Sequence, residues 1–287
     1  MGRTVTAQAR RWKLAGASVI GRQHEQVGGR CEDAWASARR ALPNGHEALA
    51  VCVSDGAGSA ANGWAGAQMV SRVLANCLAD DVDQLFSGDA DDLKWLIVST
   101  SKRVLRRAAA RSGADLKSYA CTLVAVLTTT DGRWLTVHLG DGGIVGLFDG
   151  ELRAVSMPRK GEFANQTYFV TDNDATESID IQTGEAGDPS AGACAFALFT
   201  DGVEGALVSR HTGEVSRVLA DMFDWLVKNS EAEVATALEM NLSQVFRQRT
   251  GDDCSLAIAV LEAPMRDTSS ATAVSITESD NASALAE

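Results

Sequence analysis

The chain has 287 residues, 45% of them hydrophobic and 22% charged, with a mean hydropathy of -0.05, so it carries enough apolar side chain for a sizeable core and is not the composition of a disordered protein. Its 26 basic residues face 38 acidic ones, a net charge of -12, which leaves no overall positive field to gather nucleic acid or anionic lipid. Apolar stretches such as Thr122 to Leu127 fall far short of the roughly 20 residues a membrane helix needs, and Met1 to Lys13 is basic without a following signal-like apolar segment, so a cytoplasmic location is expected.

In chain order, Ala48 to Ser54, Thr122 to Leu127, Trp134 to Leu139, Ile144 to Phe148, Ala195 to Thr200 and Ser255 to Leu261 are short β-rich or alternating runs bounded by Gly and Asp, the pattern of strands. Between them, Ala67, Val70, Val73, Leu74, Cys77 and Leu78 recur on one helix face, as do Val215, Val218, Leu219, Met222, Phe223 and Leu226; Leu93 to Leu105 and Glu231 to Phe246 behave likewise. Hairpins with helices inserted in pairs predict an antiparallel α+β arrangement more than a βαβ winding. No Pro- or Ser-rich linker divides the pattern, which predicts one domain over residues 1–262. After Ala263 the sequence turns to Ser, Thr, Ala and acidic residues, and 263–287 is expected to be a disordered tail. Cys31, Cys52, Cys77, Cys121, Cys194 and Cys254 are scattered with no C-x-x-C pair, which argues against a disulfide framework or a thiolate zinc site.

Asp-Gly recurs, and its ordinary meaning is a tight turn between antiparallel strands. Asp131-Gly132 and Asp149-Gly150 each lie between two strand-like runs and read as hairpins. Asp55-Gly56 and Asp201-Gly202 do not: each follows a strand ending in a hydroxyl residue, Ser54 or Thr200, and leads to a helix with no returning strand. Asp141 also stands where a strand stops, Asp252-Asp253 just before the last strand, and Glu32-Asp33 near the start. If these strand ends converge, the carboxylates repel one another unless cations neutralise them. An all-oxygen donor set calls for Mg2+ or Mn2+, and a pair of such ions activates water for in-line hydrolysis of a phosphate ester.

Cys31-Glu32-Asp33-Ala34, Ser54-Asp55-Gly56-Ala57-Gly58, Leu139-Gly140-Asp141-Gly142, Phe199-Thr200-Asp201-Gly202 and Gly251-Asp252-Asp253-Cys254-Ser255 resemble, in order and rough spacing, the motifs of the PP2C (PPM) metal-dependent protein serine/threonine phosphatases. The stretches Gly21 to Asp33 and Gly161 to Thr167 look closer to the compact bacterial branch of that family. The resemblance implies a four-layer αββα sandwich, two antiparallel sheets flanked by helices, with a binuclear site at one edge. It assigns metal binding to Asp33, Asp55, Asp201 and Asp252 and to the carbonyl of Gly56, a metal-bound water to Glu32, and a third ion to Asp141. Asp252 is preferred to Asp253 because aligning Ser255 with the family's hydroxyl residue puts Asp252 at the ligand position. The implied substrate is a phosphoserine or phosphothreonine protein, the target of a Ser/Thr kinase, and the implied state a monomer bound to neither membrane nor nucleic acid.

Departures from the family pattern bear on substrate handling. Gly28 stands where an arginine often grips phosphate, leaving Arg22 or Arg30 to substitute; Ala57 stands where a histidine often follows Asp-Gly, leaving His24 as the nearest candidate; Gly143 replaces an arginine after the third motif. These departures motivate two other readings, a catalytically silent binding or sensor module and a phosphoesterase for small molecules.

Overall fold

Apolar runs too short for helices become strands, and the amphipathic stretches between them become the outer helices. The computed structural model describes residues 10–158, 167–185, 194–209 and 212–262; the expected tail and most of the Gly161 to Thr167 motif lie outside them. The order is β1 (Trp12–Val19), α1 (Arg22–Gln26), β2 (Ala34–Ala41), β3 (Glu47–Ser54), α2 (Gly63–Asp80), α3 (Val82–Ser87), α4 (Ala90–Ser112), β4 (Leu123–Thr129), β5 (Arg133–Leu139), β6 (Gly143–Phe148) and β7 (Glu151–Ser156). There follow α5 (Ala175–Ser178), β8 (Asp180–Glu185), β9 (Ala195–Phe199), α6 (Asp201–Leu207), α7 (Val218–Lys228), α8 (Glu231–Gln244) and β10 (Cys254–Leu261).

The strands form two five-stranded sheets, β1-β10-β9-β6-β7 and β2-β3-β4-β5-β8, antiparallel throughout. The two-residue period of a strand decides which side each residue serves. In β3, Leu49, Val51 and Val53 point between the sheets, where they meet Val124, Val126 and Phe196; Ala48, Ala50 and Cys52 point outward to the layer containing Val70 and Leu74 of α2 and Ile97 and Leu105 of α4. In β9 the same alternation sends Phe196 and Leu198 inward and Ala195, Ala197 and Phe199 toward Leu219, Phe223 and Leu238 of α7 and α8. Helix, sheet, sheet, helix is therefore the layering, as the sequence leads one to expect.

Asp149-Gly150 makes the expected hairpin turn, both residues at positive φ (52° and 81°), the backbone of a type I′ turn. Asp131-Gly132 also joins two antiparallel strands, β4 and β5, but with only Gly132 at positive φ (99°) and its amide donating to the Thr129 carbonyl (3.0 Å). Three strands escape the sequence reading: β1, β2 and the edge strand β8. Asp201 is itself the first residue of α6, with no segment between the Asp-Gly pair and a helix. Val215, expected in the next helix, instead bridges to Val208, and α7 starts at Val218.

Candidate metal centre

Strand register brings the acidic points to one rim. β2 and β3 pair with Ala34 opposite Ser54, so the next residues outward, Asp33 and Asp55, face each other at the open end of that hairpin. In the other sheet Phe199 of β9 lies opposite both Leu256 of β10 and Gly143 of β6. Continuing these registers sets Thr200 beside Ser255, and Asp141, Asp201 and Asp252 along the same edge. The amide of Ser255 donates to Thr200 Oγ1 (3.0 Å), and that hydroxyl donates to Asp33 Oδ2 (2.7 Å). One threonine thus links the two sheets at the rim, in place of capping the helix it precedes.

The two unpaired Asp-Gly motifs have a packing explanation. A Cβ on Gly56 would lie 2.3 Å from the carbonyl carbon of Gly63, and one on Gly202 would lie 1.8 Å from the carbonyl oxygen of Asp253. No side chain fits either gap. Gly56 lets α2 start directly against the turn after β3, while Gly202 lets α6 start directly against the chain entering β10. The hydroxyl before Asp55 works locally: Ser54 Oγ donates to the Thr122 carbonyl (2.6 Å), and Thr122 Oγ1 accepts the Asp55 amide (3.0 Å).

Electrostatics follow from crowding and burial. Asp33 is 5% exposed and burial pushes its pKa up to about 8, with Asp253 adding to the rise and the Thr200 and Ser255 hydroxyls and Asp55 opposing it through hydrogen bonds. Asp55 is raised well above the carboxylate range, first by burial and then by the charges of Asp33, Asp201, Asp141 and Asp252. Both shifts run in the direction expected of buried, like-charged neighbours. Glu32 and Asp141 are also raised, burial leading in both. Each keeps one buried carboxylate oxygen, Glu32 Oε2 and Asp141 Oδ1, without a hydrogen-bond partner; the other Asp141 oxygen accepts from Thr167 Oγ1 (3.1 Å).

Among the described residues, no three acidic, histidine or cysteine side chains close into a cage around one point. Asp33 and Asp55 touch, whereas Asp201, Asp141 and Asp252 act on Asp55 through their charge, and Asp252 is exposed. The donor set nevertheless suits a hard divalent cation: all its donors are oxygens, two of them are orphaned in buried positions, and a divalent charge would relieve the crowding that raises Asp55.

The remaining sequence candidates separate. Arg30 lies over the Trp64 ring, 4.3 Å from its centroid, and its charge reaches Glu32. Arg22 is drawn to Gln248 Oε1 (3.2 Å). His24 Nδ1 meets Asp253 Oδ2 at 3.0 Å; burial lowers its pKa, but Asp253, Glu32 and Asp252 together raise it above the usual value. Sequence reasoning gave Asp253 no part. It is 2% exposed and accepts the backbone amides of Gly21 and Glu32, each at 2.5 Å, so it fastens the loop carrying Glu32 and Asp33 to the start of β10. The doubled Asp252-Asp253 was the available signal.

The protein phosphatase 2C family profile matches residues 20–243. Serine/threonine-protein phosphatase 3 of Escherichia coli (strain K12) is 28% identical over 254 residues, covering 87% of this chain and 98% of that protein. Among solved structures, the catalytic domain of the serine/threonine phosphatase PstP in complex with two manganese ions superposes with a TM-score of 0.57 at 20% identity, over 87% of this chain and 98% of that one. The Mycobacterium tuberculosis phosphatase PstP/Ppp gives 0.54 at 20% identity, over 88% and 99%. With its fold, its acidic rim and a profile match over most of its length, the chain belongs to the protein phosphatase 2C family.

Proposed function

We propose that the chain is a metal-dependent phosphatase of phosphoserine and phosphothreonine proteins, and that Asp33, Asp55, Asp201, Asp252 and the Gly56 carbonyl hold two Mn2+ or Mg2+ ions. Bound there, such ions supply Lewis-acid polarisation of the ester and of the attacking water. Glu32 and Asp141, each with a buried unpartnered oxygen, take a metal-held water and a third, weaker ion. The observation that carries the reading is the contact of Asp33 and Asp55 across β2 and β3 while Thr200 of the other sheet grips the same carboxylate. That joins donors from both sheets in one rim.

The chain's own residues handle the rest of the reaction. Arg30, the arginine whose charge reaches the rim, has the planar fork that suits phosphate and binds it in place of the family arginine that Gly28 replaces. Asp253 fixes the His24 ring, and His24 passes a proton to the departing serine or threonine oxygen as the phosphorus–oxygen bond breaks. A silent binding module is not favoured, since a lapsed site has no use for buried, mutually repelling carboxylates. We further read the protein as a cytoplasmic monomer acting on kinase targets; among the described residues no helix is long and apolar enough to cross a membrane.

The purified protein should hydrolyse p-nitrophenyl phosphate with Mn2+ or Mg2+ and stop on chelation. Asp55→Asn and Asp201→Asn should each lower kcat/KM by about a hundredfold or more, the loss typical of removing transition-state charge stabilisation. Full activity in either variant would defeat the reading, and turnover of small metabolites but not of phosphopeptides would leave a small-molecule phosphoesterase.

A further inference from the structure

Residues 93–112, nearly all of α4, hold six of the chain's 26 basic residues and none of its 38 acidic ones. The inner face of the helix is spent on the core through Leu93, Ile97, Leu105 and Ala109. The outer face bounds a shallow groove of about 460 Å3 lined by Trp95, Ser99, Arg103, Arg106, Arg107 and Ala110, positions that the helical period stacks on one side. Trp95 is 65% exposed, the most exposed large aromatic side chain among the described residues. Arg103, Arg106 and Arg107 are exposed, and none of them has an ion pair or hydrogen bond among the described residues.

A basic helix C-terminus alone is ordinary, because it complements the helix dipole. An uncovered tryptophan about two to three turns before unpaired arginines is not. Trp and Arg are the residue types that dominate the energetics of protein interfaces, and a tryptophan left facing water gains nothing from its large apolar area.

The strip also has a direction. α4 ends at Gly113 and passes into the turn Leu116–Tyr119. The Ser118 carbonyl of that turn accepts the Asn62 amide (2.8 Å), and the Ala120 carbonyl just after it accepts the amide of Ala57 (3.0 Å), two residues past Asp55. The arginine end therefore lies toward the catalytic rim and the tryptophan end away from it. From Trp95 to Arg107 is about 18 Å along the axis, the span of roughly five or six extended residues.

We propose that this face of α4 is a docking strip for an acidic segment of the phosphoprotein substrate, its carboxylates against Arg103, Arg106 and Arg107 and an apolar side chain against Trp95. The proposal rests on the phosphatase reading for its choice of partner, and the strip's charge, set against the net -12 of the whole chain, selects an acidic peptide. A long polyanion such as nucleic acid would run off so short a strip onto a surface of its own sign.

The test reads binding without turnover. A fluorescein-labelled, unphosphorylated twelve-residue peptide rich in Asp and Glu with one Phe is titrated with the protein at low ionic strength and followed by anisotropy, beside the same peptide with Gln and Asn for its acids. The acidic peptide should bind about tenfold or more tightly than the neutral one, and Arg103→Gln/Arg106→Gln/Arg107→Gln should abolish that preference, the scale expected for several interface charges. Trp95→Ala should weaken both peptides by a few-fold. Equal affinity for the two peptides, or affinity untouched by these exposed-site variants, would overturn the strip. So would tighter binding of a single-stranded oligonucleotide or of phosphatidylserine vesicles through the same residues. Should the triple variant fold poorly by circular dichroism, Arg106→Gln and Trp95→Ala singly carry the same comparison. Turnover of p-nitrophenyl phosphate, measured separately, tells a failed strip from a failed phosphatase assignment.

Discussion

Asp253 shows how much one buried carboxylate can organise. Its two oxygens take amides from Gly21 and Glu32 and a ring nitrogen from His24, and its own amide donates to Asp252 Oδ1 at 2.9 Å. The rim's N-terminal loop and its C-terminal acidic pair are thus one hydrogen-bonded unit, although some 220 residues separate them in sequence. Because His24 is raised above its usual pKa of about 6.5, its bond to Asp253 is strongest when the ring is protonated. A raised folded-state pKa means that the contribution to stability is complete below the unfolded value and is lost as pH climbs through the folded one. His24→Gln should therefore lower the melting temperature at pH 5.5 and converge with wild type by pH 9. Parallel melting curves, with a constant gap across that range, would show that the ring charge does not matter.

At the scale of elements, the decisive contacts are those where chain crosses chain without a side chain between. The start of α6 rests on the entry to β10 at Gly202, where an added Cβ would collide with backbone and not with a movable side chain. Gly202→Ala should cost about 1–3 kcal/mol or more, the range for overpacking a closed contact, and should cut metal-dependent activity because Asp201 moves with the helix. Urea unfolding at wild-type midpoint with full activity would contradict this. Of the strands legible in the sequence, β3, β4, β9 and β10 are buried on both faces, which needs unbroken apolar runs, while β5 and β6 are buried except at one end. β2 (AWASARRA) and β8 (DIQTGE) were not, because one is rich in alanine and arginine and the other is a polar edge; pairing with β3 and β5, more than their own propensity, makes them strands. The same division holds at the rim. Asp55 and Asp201 announce themselves as Asp-Gly pairs that no hairpin explains. The Thr200 link to Asp33 and the role of Asp253 depend on contacts between distant segments and leave no local trace.

Across the whole molecule, donors for the proposed ions come from both sheets, so a bound cation also braces the sandwich. Mn2+ at about a hundred times its dissociation constant adds about 2.7 kcal/mol to stability, a rise of roughly 5–10 °C in Tm for a chain of this size. Asp55→Asn should lose most of that rise, yet in the presence of chelator it should melt no lower than wild type, because it removes a buried carboxylate crowded by the charges of Asp33, Asp201, Asp141 and Asp252. A chelated variant that melts well below chelated wild type would mean that Asp55 is structural.

β1 and β10 lie side by side with Val19 opposite Cys254 at the rim and Trp12 opposite Leu261 at the far end, where Arg11 Nε meets Glu262 Oε2 at 2.8 Å. Arg11 and Glu262 thus lie together at the end of the sheet opposite the rim. A chain cut back to Arg11 and Glu262 would therefore have both its new ends on the side away from the acidic rim.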